Sequence, residues 1–298
     1  MIKSSSALNY IVAVLLKYAR MYKYACGFPL LSPHISLHNR ILKFGAILIL
    51  LTTNANAAQD IGQPENVESV TVLVSSSMTT PISEISRQYS REKAVDLNDV
   101  FEAPSELVAK IEDGDPADVI IVSDQKWLDK LQEQGLIEPS SRVKIAGNRL
   151  SLVTSKDFKL SEDSKQLEQV LDFIHTRTLM VMGDPSLNTL GARTKEVLQN
   201  VKKWDKFKSF IVLAPTSAKT VDLLIKSQSA GIIYSTDAKL FKDKLHYVGD
   251  IPEKLHKPVE YYAAVVLGNN MDEAQKFLLY LISKPAQDIL KKAGFVVK

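Results

Sequence analysis

The feature that most constrains how this chain folds is the segment 69–83, Ser-Val-Thr-Val-Leu-Val-Ser-Ser-Ser-Met-Thr-Thr-Pro-Ile-Ser. The alternating valines that begin at Val70 predict one buried strand. Hydroxyl side chains follow at once, and Pro81 then suits the first position of a helix whose apolar face includes Ile82 and Tyr89. Backbone N–H groups at such a helix start attract anions, although the same pattern is also typical of an ordinary serine-rich helix cap.

The charge of the chain depends on where the mature protein begins. The whole sequence has 37 basic and 34 acidic side chains, but residues 1–57 contain six of the basic ones and no acidic one. Subtracting those six leaves 31 basic against 34 acidic side chains, a balance of −3. Because no basic patch remains to attract phosphates, we expect no nucleic-acid partner.

The N-terminal segment is typical of an export signal. Basic residues within 38–43 precede the apolar run 44–51, and Ala55-Asn-Ala57 has the small-x-small pattern of a cleavage site. The apolar run is too short to span a bilayer, which takes about 20 residues. The only cysteine, Cys26, lies in this segment. We therefore predict cleavage after Ala57 and a periplasmic mature protein without a disulfide.

Beyond the predicted signal, strand patterns alternate with helix patterns. Predicted strands cover residues 70–74, 94–101, 119–122, 150–153, 179–182, 210–213, 230–234 and 259–266. Helices are predicted from Pro81, after a cap at Ser105, between a cap at Asp124 and a stop at Gly135, and over 193–201, 221–225, 271–282 and 285–292. Alternation of this kind predicts an α/β fold with mainly parallel sheets. Since no linker separates the two series, we expect two lobes that share crossing strands.

Several motifs occur in a fixed order over residues 70–298. They are Val72-Leu-Val-Ser-Ser-Ser-Met-Thr79, Gly114-Asp-Pro-Ala-Asp-Val-Ile-Ile-Val-Ser-Asp-Gln-Lys-Trp127, Gly147-Asn-Arg-Leu150, Gly183-Asp-Pro185 with Gly191, Leu213-Ala-Pro215, Gly231-Ile-Ile-Tyr234 and Gly294-Phe295. Together they resemble the periplasmic molybdate-binding proteins of ABC importers, a bacterial solute-binding family. The resemblance implies a type II periplasmic binding fold. Lobe one would be 67–148 plus 257–298, and lobe two 149–256.

The resemblance also implies a binding site between the lobes. In that family neutral donors hold a tetrahedral dianion, which suits molybdate because its oxygens only accept hydrogen bonds. By position, the hydroxyls of Ser77 and Tyr234 and the N–H groups near Leu190 and Ala218 would be such donors. Molybdate would then be cargo for an inner-membrane ABC permease. We expect no cofactor, no direct metal-ion ligand and a monomeric protein.

One departure from the family bears on this site. The family usually has two serines where this chain has Ala103-Pro104, and proline offers neither a hydroxyl nor an N–H group. The neighbouring Ser105 would take over as a ligand if the turn is shifted, or would simply cap the following helix. Leu190 also stands where the family prefers a small residue.

Two alternatives remain open at this stage. The same two-lobe trap would serve another oxyanion, tungstate or sulfate. An exported serine hydrolase would use Ser141 and Lys144, which have SxxK spacing but lie in what reads as an exposed connection. The sequence shows no GxSxG or P-loop motif to support catalysis.

Overall fold

The computed structural model describes residues 69–158, 167–268 and 270–297. The predicted signal segment and its cleavage site lie outside these ranges. The strands of the described part are β1 (Ser69–Ser75), β2 (Asp96–Glu102), β3 (Val119–Val122), β4 (Val143–Asn148), β5 (Leu150–Ser155), β6 (Met180–Gly183), β7 (Ile211–Ala214), β8 (Ala230–Tyr234), β9 (Leu245–Asp250) and β10 (Val259–Val265). The α-helices are α1 (Thr79–Lys93), α2 (Pro104–Glu112), α3 (Gln125–Glu133), α4 (Leu167–His175), α5 (Thr189–Asn200), α6 (Trp204–Phe207), α7 (Ser217–Lys226), α8 (Ser235–Leu240), α9 (Met271–Leu281) and α10 (Lys284–Ala293).

The strands form two sheets of five. The first has the order β2-β1-β3-β10-β4 and the second the order β7-β6-β8-β5-β9. In the first sheet only β10 runs against the other four strands, and in the second only β5 does. The predicted α/β fold with two mainly parallel sheets is therefore confirmed.

Two connections carry the chain between the sheets. Arg149 alone links β4 to β5, and residues 251–258 lead from β9 to β10. The reversed strands are thus the ones that directly follow the crossings, as expected for two lobes that share crossing strands. The lobe bounds given above stay a prediction.

The start of α1 differs from the prediction. A 3-10 turn, Ser76–Met78, follows β1, and α1 begins at Thr79, so that Pro81 is its third residue rather than its first. Proline fits there because the N–H groups of a first helical turn have no intrahelical partner. The predicted apolar face is confirmed, since Ile82 and Tyr89 are buried.

The predicted cap of α2 is wrong. Ala103 is the N-cap, Pro104 is the first residue of the helix and Ser105 is the second. The fixed φ of proline suits the first helical position, so Pro104 starts the helix one residue before Ser105 could cap it. The Glu106 carboxylate accepts a hydrogen bond from the Ala103 N–H at 3.4 Å in place of a capping hydroxyl.

The SxxK segment is exposed at Lys144, as predicted, but not at Ser141. Ser141 is buried in a 3-10 turn, and its Oγ donates to the Glu138 carbonyl at 2.6 Å while accepting from the Val265 N–H at 2.8 Å. Lys144 lies in β4, a strand that the sequence did not predict, and pairs with the Glu260 carboxylate. Both side chains therefore have structural partners, which removes the basis for the hydrolase alternative.

Close packing fixes the start of α5 against the end of β6. A Cβ atom on Gly191 would lie 2.2 Å from the Gly183 carbonyl oxygen, so no larger residue fits without a shift. The Asn188 side chain caps α5 by accepting from the Gly191 N–H at 2.9 Å.

None of the described helices combines the length and apolar character that crossing a membrane requires.

Candidate anion-binding site

The five predicted ligand residues lie at strand ends and helix starts. Ser77 is in the turn after β1, and Tyr234 is the last residue of β8. Ser105, Leu190 and Ala218 are each the second residue of their helix, in α2, α5 and α7. The N–H groups of a first helical turn lack intrahelical acceptors, so those of Leu190 and Ala218 can donate to an anion.

A hydroxyl cluster, Ser77, Ser123, Tyr234 and Tyr261, joins the two sheets. The Tyr261 hydroxyl donates to Ser77 Oγ at 2.9 Å and is also hydrogen-bonded to Tyr234 and Asn148. Tyr234 in turn is hydrogen-bonded to Ser123, which follows β3. Because β10 belongs to the first sheet and β8 to the second, the Tyr234–Tyr261 contact crosses between them.

Both tyrosine hydroxyls of this cluster keep their protons at physiological pH. Tyr234 and Tyr261 are almost fully buried, and burial raises the pKa of each well above its ordinary value. A protonated hydroxyl remains a neutral hydrogen-bond donor. The cluster therefore offers donors that carry no positive charge.

A cavity of about 230 Å³ brings two predicted ligands together. Ser77 and Ala218 both line it, along with Ser76 and Asp237. At its edge the hydroxyls of Ser76 and Ser217 lie 3.1 Å apart, one from each side of the cleft. Asp237 therefore lies close to two of the predicted donors.

Ser105 is also positioned to act as a donor. Its N–H donates across the cleft to the Leu187 carbonyl at 3.3 Å. Its Oγ is buried and has no hydrogen-bond partner among the described residues. Leu187 lies just before the start of α5, so the structure brings Ser105 close to the helix start that holds Leu190.

The Leu190 side chain is fully buried in the core, which accommodates the larger residue at this position.

An ion-pair cluster, Asp124, Arg193 and Glu196, forms a second link between the sheets. Arg193 Nη2 donates to Asp124 Oδ2 at 2.7 Å, and Nη1 donates to Glu196 Oε1 at 3.0 Å. The Arg193 side chain is only 7% exposed and that of Asp124 16%. Glu196 also accepts from the Lys257 N–H at 2.8 Å, in the second crossing segment. This cluster therefore ties α5 both to the start of α3 and to a crossing.

Comparison with known proteins identifies the family. The family model of bacterial extracellular solute-binding proteins matches residues 70–296. This chain belongs to that family. It is 32% identical over 261 residues to the molybdate-binding protein ModA of Escherichia coli, covering 86% of this chain and 97% of that one. It is 28% identical over 233 residues to ModA of Haemophilus influenzae, covering 77% and 90%.

A solved structure agrees with the fold. The periplasmic molybdate-binding protein of Azotobacter vinelandii superposes with a TM-score of 0.68 at 18% identity, covering 77% of this chain and 99% of that one. The resemblance inferred from the motifs is therefore confirmed at the level of family and fold.

Sequence reasoning missed several residues of this solute-binding cleft. Ser123 follows β3 as Ser77 follows β1, and the rule that ligands bind at the carboxyl ends of parallel strands would have found it. Tyr261 sits inside a strand pattern that gives no sign of its hydroxyl partners. Arg193 and Asp124 are 69 residues apart, so their pairing is invisible in the sequence.

The described residues include no group of three or more His, Cys, Asp or Glu side chains placed to hold a metal ion.

Proposed function

We propose that this protein captures molybdate in the periplasm and delivers it to an inner-membrane ABC permease. The observation that carries the proposal is the hydroxyl cluster, in which neutral donors of both sheets meet, and Ser77 of this cluster shares a cavity with Ala218 at the start of α7. The relatives that bear the name molybdate-binding protein support the choice of ligand. The protein would work as a monomer, and molybdate would be released unchanged as cargo.

The proposed ligands are the hydroxyls of Ser77, Ser105 and Tyr234 and the N–H groups of Leu190 and Ala218. A tetrahedral dianion has four oxygens that only accept hydrogen bonds, so every ligand must donate. In a cleft that excludes water, such preorganised donors bind an anion strongly without a lysine or arginine in contact with it. Ser77 and Ser105 belong to the part of the chain around the first sheet, while the other three belong to the part around the second. The bound anion would therefore hold the cleft closed.

The periplasmic location rests on the predicted signal segment. We propose that cleavage after Ala57 yields a mature protein that begins at Ala58. Mass spectrometry of the exported protein should find Ala58 as the N-terminal residue. A mature form that retains the apolar run 44–51 would contradict this part of the proposal.

A second candidate ligand follows from Pro104. This residue starts α2 and offers no donor, so the cleft has one hydroxyl fewer than the family pattern implies unless Ser105 supplies it. Sulfate and tungstate are also tetrahedral dianions with acceptor oxygens only. Donor type cannot separate them from molybdate, and the spacing of the donors in the closed cleft must do so.

Calorimetric titration of the exported protein with molybdate, tungstate and sulfate tests the proposal. We expect molybdate and tungstate to bind more tightly than sulfate, because the buried, unpartnered Oγ of Ser105 can replace the donor that the family pattern loses at Pro104. Tighter binding of sulfate would favour the second candidate. Absence of binding by all three anions would contradict an oxyanion-binding function.

A further inference from the structure

The carboxyl group of Asp237 is a part of the cleft that the proposed ligand set leaves unused. Asp237 is the third residue of α8 and lines the 230 Å³ cavity together with Ser77 and Ala218. Its Oδ2 is buried and has no hydrogen-bond partner among the described residues. A buried carboxyl oxygen without a partner is costly, so its presence here calls for a ligand or a proton.

Burial, and not a charge partner, sets the ionisation of Asp237. Tyr234 and Tyr261 approach it from the two sheets as neutral hydroxyls, and the adjoining groove is lined by Glu84, Lys239 and Lys292. Within the described part of the chain, none of the ion pairs involves Asp237. Burial therefore raises the pKa of Asp237 from 3.8 to about 7.

A bound dianion would shift this balance further. An anion that contacts Ser77 and Ala218 brings two negative charges into the cavity that Asp237 also lines, and these charges repel an ionised carboxylate. The neutral acid avoids the repulsion and gains an O–H group.

We propose that Asp237 takes up one proton with each bound oxyanion, because the charge of the cargo disfavours the ionised carboxylate. This inference rests on the proposed function. The proton comes from solvent and binds Oδ2, no other bond changes, and the proton returns to solvent when the anion leaves. Proton uptake thereby couples the affinity of the cleft to pH.

The direction of the pH dependence follows from the protonation of Asp237 in the free and in the anion-bound protein. Below pH 7 Asp237 already holds its proton in the free protein, so affinity should vary little with pH. Above pH 7 the free protein loses the proton and binding must restore it, so affinity should fall by up to tenfold per pH unit. Molybdate itself is fully deprotonated over this pH range, so it adds nothing to the change of affinity with pH.

Calorimetry with molybdate as the probe tests the inference. The exported protein should bind molybdate at least tenfold more weakly at pH 8.5 than at pH 6.5. Titrations at pH 8 in two buffers with different heats of ionisation should show uptake approaching one proton per anion. This proton count needs no variant, so it does not depend on how well any mutant folds.

Two variants sharpen the test. Asp237→Asn is neutral at every pH and cannot titrate, so the affinity of this variant should not change between pH 6.5 and 8.5 and should exceed that of the wild type at pH 8.5. Asp99→Asn is the matched control, because burial raises the pKa of Asp99 to about 6 at a site on β2 that does not border the cavity. The affinity of the Asp99→Asn variant should change with pH as that of the wild type does.

The outcomes separate the inference from the function on which it rests. Tight molybdate binding without proton uptake, or a wild-type slope in Asp237→Asn, would overturn the role of Asp237 and leave the proposed function standing. Failure of the wild-type protein to bind molybdate at any pH would overturn both.

Discussion

The two clusters that join the sheets across the cleft do so by different chemistry. The hydroxyl cluster is neutral, and its members can turn from one another to an anion because a hydroxyl both donates and accepts. The ion-pair cluster is charged and nearly buried, and Arg193 is held by two carboxylates, Asp124 and Glu196. We therefore propose a division of roles, in which the hydroxyl cluster binds the cargo and the ion-pair cluster stabilises the fold around it.

The largest effect that would test this division is expected at Arg193. Arg193→Met leaves two carboxylates without their partner, so we expect the free energy of unfolding to fall by roughly 3 kcal/mol, the lower end for a broken buried ion pair. Urea denaturation of the ligand-free protein measures it. Arg149→Met is the matched control, because the Arg149–Glu253 pair is exposed and should contribute less than about 1 kcal/mol. Equal losses in the two variants would contradict a special role for the ion-pair cluster.

The next effect concerns binding through the hydroxyl cluster. Ser77→Ala and Tyr234→Phe should each weaken molybdate binding by about 1.5–3 kcal/mol, the range for a lost hydrogen bond to a charged group. The unfolding of the ligand-free protein should change much less. Calorimetry checks both variants against Tyr247→Phe, which removes an exposed hydroxyl from β9 of the same sheet. Unchanged affinity in both cleft variants would remove the proposed site.

A smaller effect separates the two roles left open for Ser105. Its buried, unpartnered Oγ favours a ligand, so Ser105→Ala should weaken molybdate binding by about 1.5 kcal/mol and Pro104→Ser should add little. Calorimetric titration compares the two variants. If Ser105→Ala has no effect and Pro104→Ser tightens binding, the donor lost at Pro104 is simply missing.

The smallest effect lies outside both clusters. Burial holds the folded-state pKa of Asp99 near 6, above its ordinary value of 3.8, despite the hydrogen bond from Ser86. Ionisation of Asp99 therefore lowers the free energy of unfolding as the pH rises from 4 to 6, and the whole of this decrease persists above pH 6. At pH 7.5 the free energy of unfolding of Asp99→Asn should exceed that of the wild type by under about 1 kcal/mol, a small gain because the group is half-exposed. At pH 4 the two proteins should be equally stable. Thermal unfolding at both pH values measures this, and a gain that is equal at both would contradict it.

Sequence patterns predicted the elements that are apolar throughout. The strands β3 and β8 have the predicted bounds because every residue in them is buried. The strand β9 escaped prediction because much of it is exposed and polar, so that its pattern resembles a loop. The wrong cap at Ser105 has a similar cause, since Pro104 fixes the helix start and overrides the capping preference of serine.

The site could be predicted only in part for a different reason. Ser77 and Tyr234 stand at strand ends, where position along the chain already indicates a ligand. Tyr261 and Asp237 owe their place in the cleft to packing between elements far apart in sequence. No local pattern carries that information, so only the folded chain reveals the partners of the predicted donors.

The most direct test of the central claim is a crystal structure of the protein with molybdate, in which the anomalous signal of molybdenum locates the anion. We expect a single strong peak in the cleft, with anion oxygens within about 3 Å of Ser77 Oγ and Tyr234 Oη. The hydrogen bond between Tyr261 and Ser77 should rearrange as Ser77 turns to the anion. A peak away from the hydroxyl cluster, or one in contact with the Arg193 guanidinium, would contradict capture of the cargo by neutral donors.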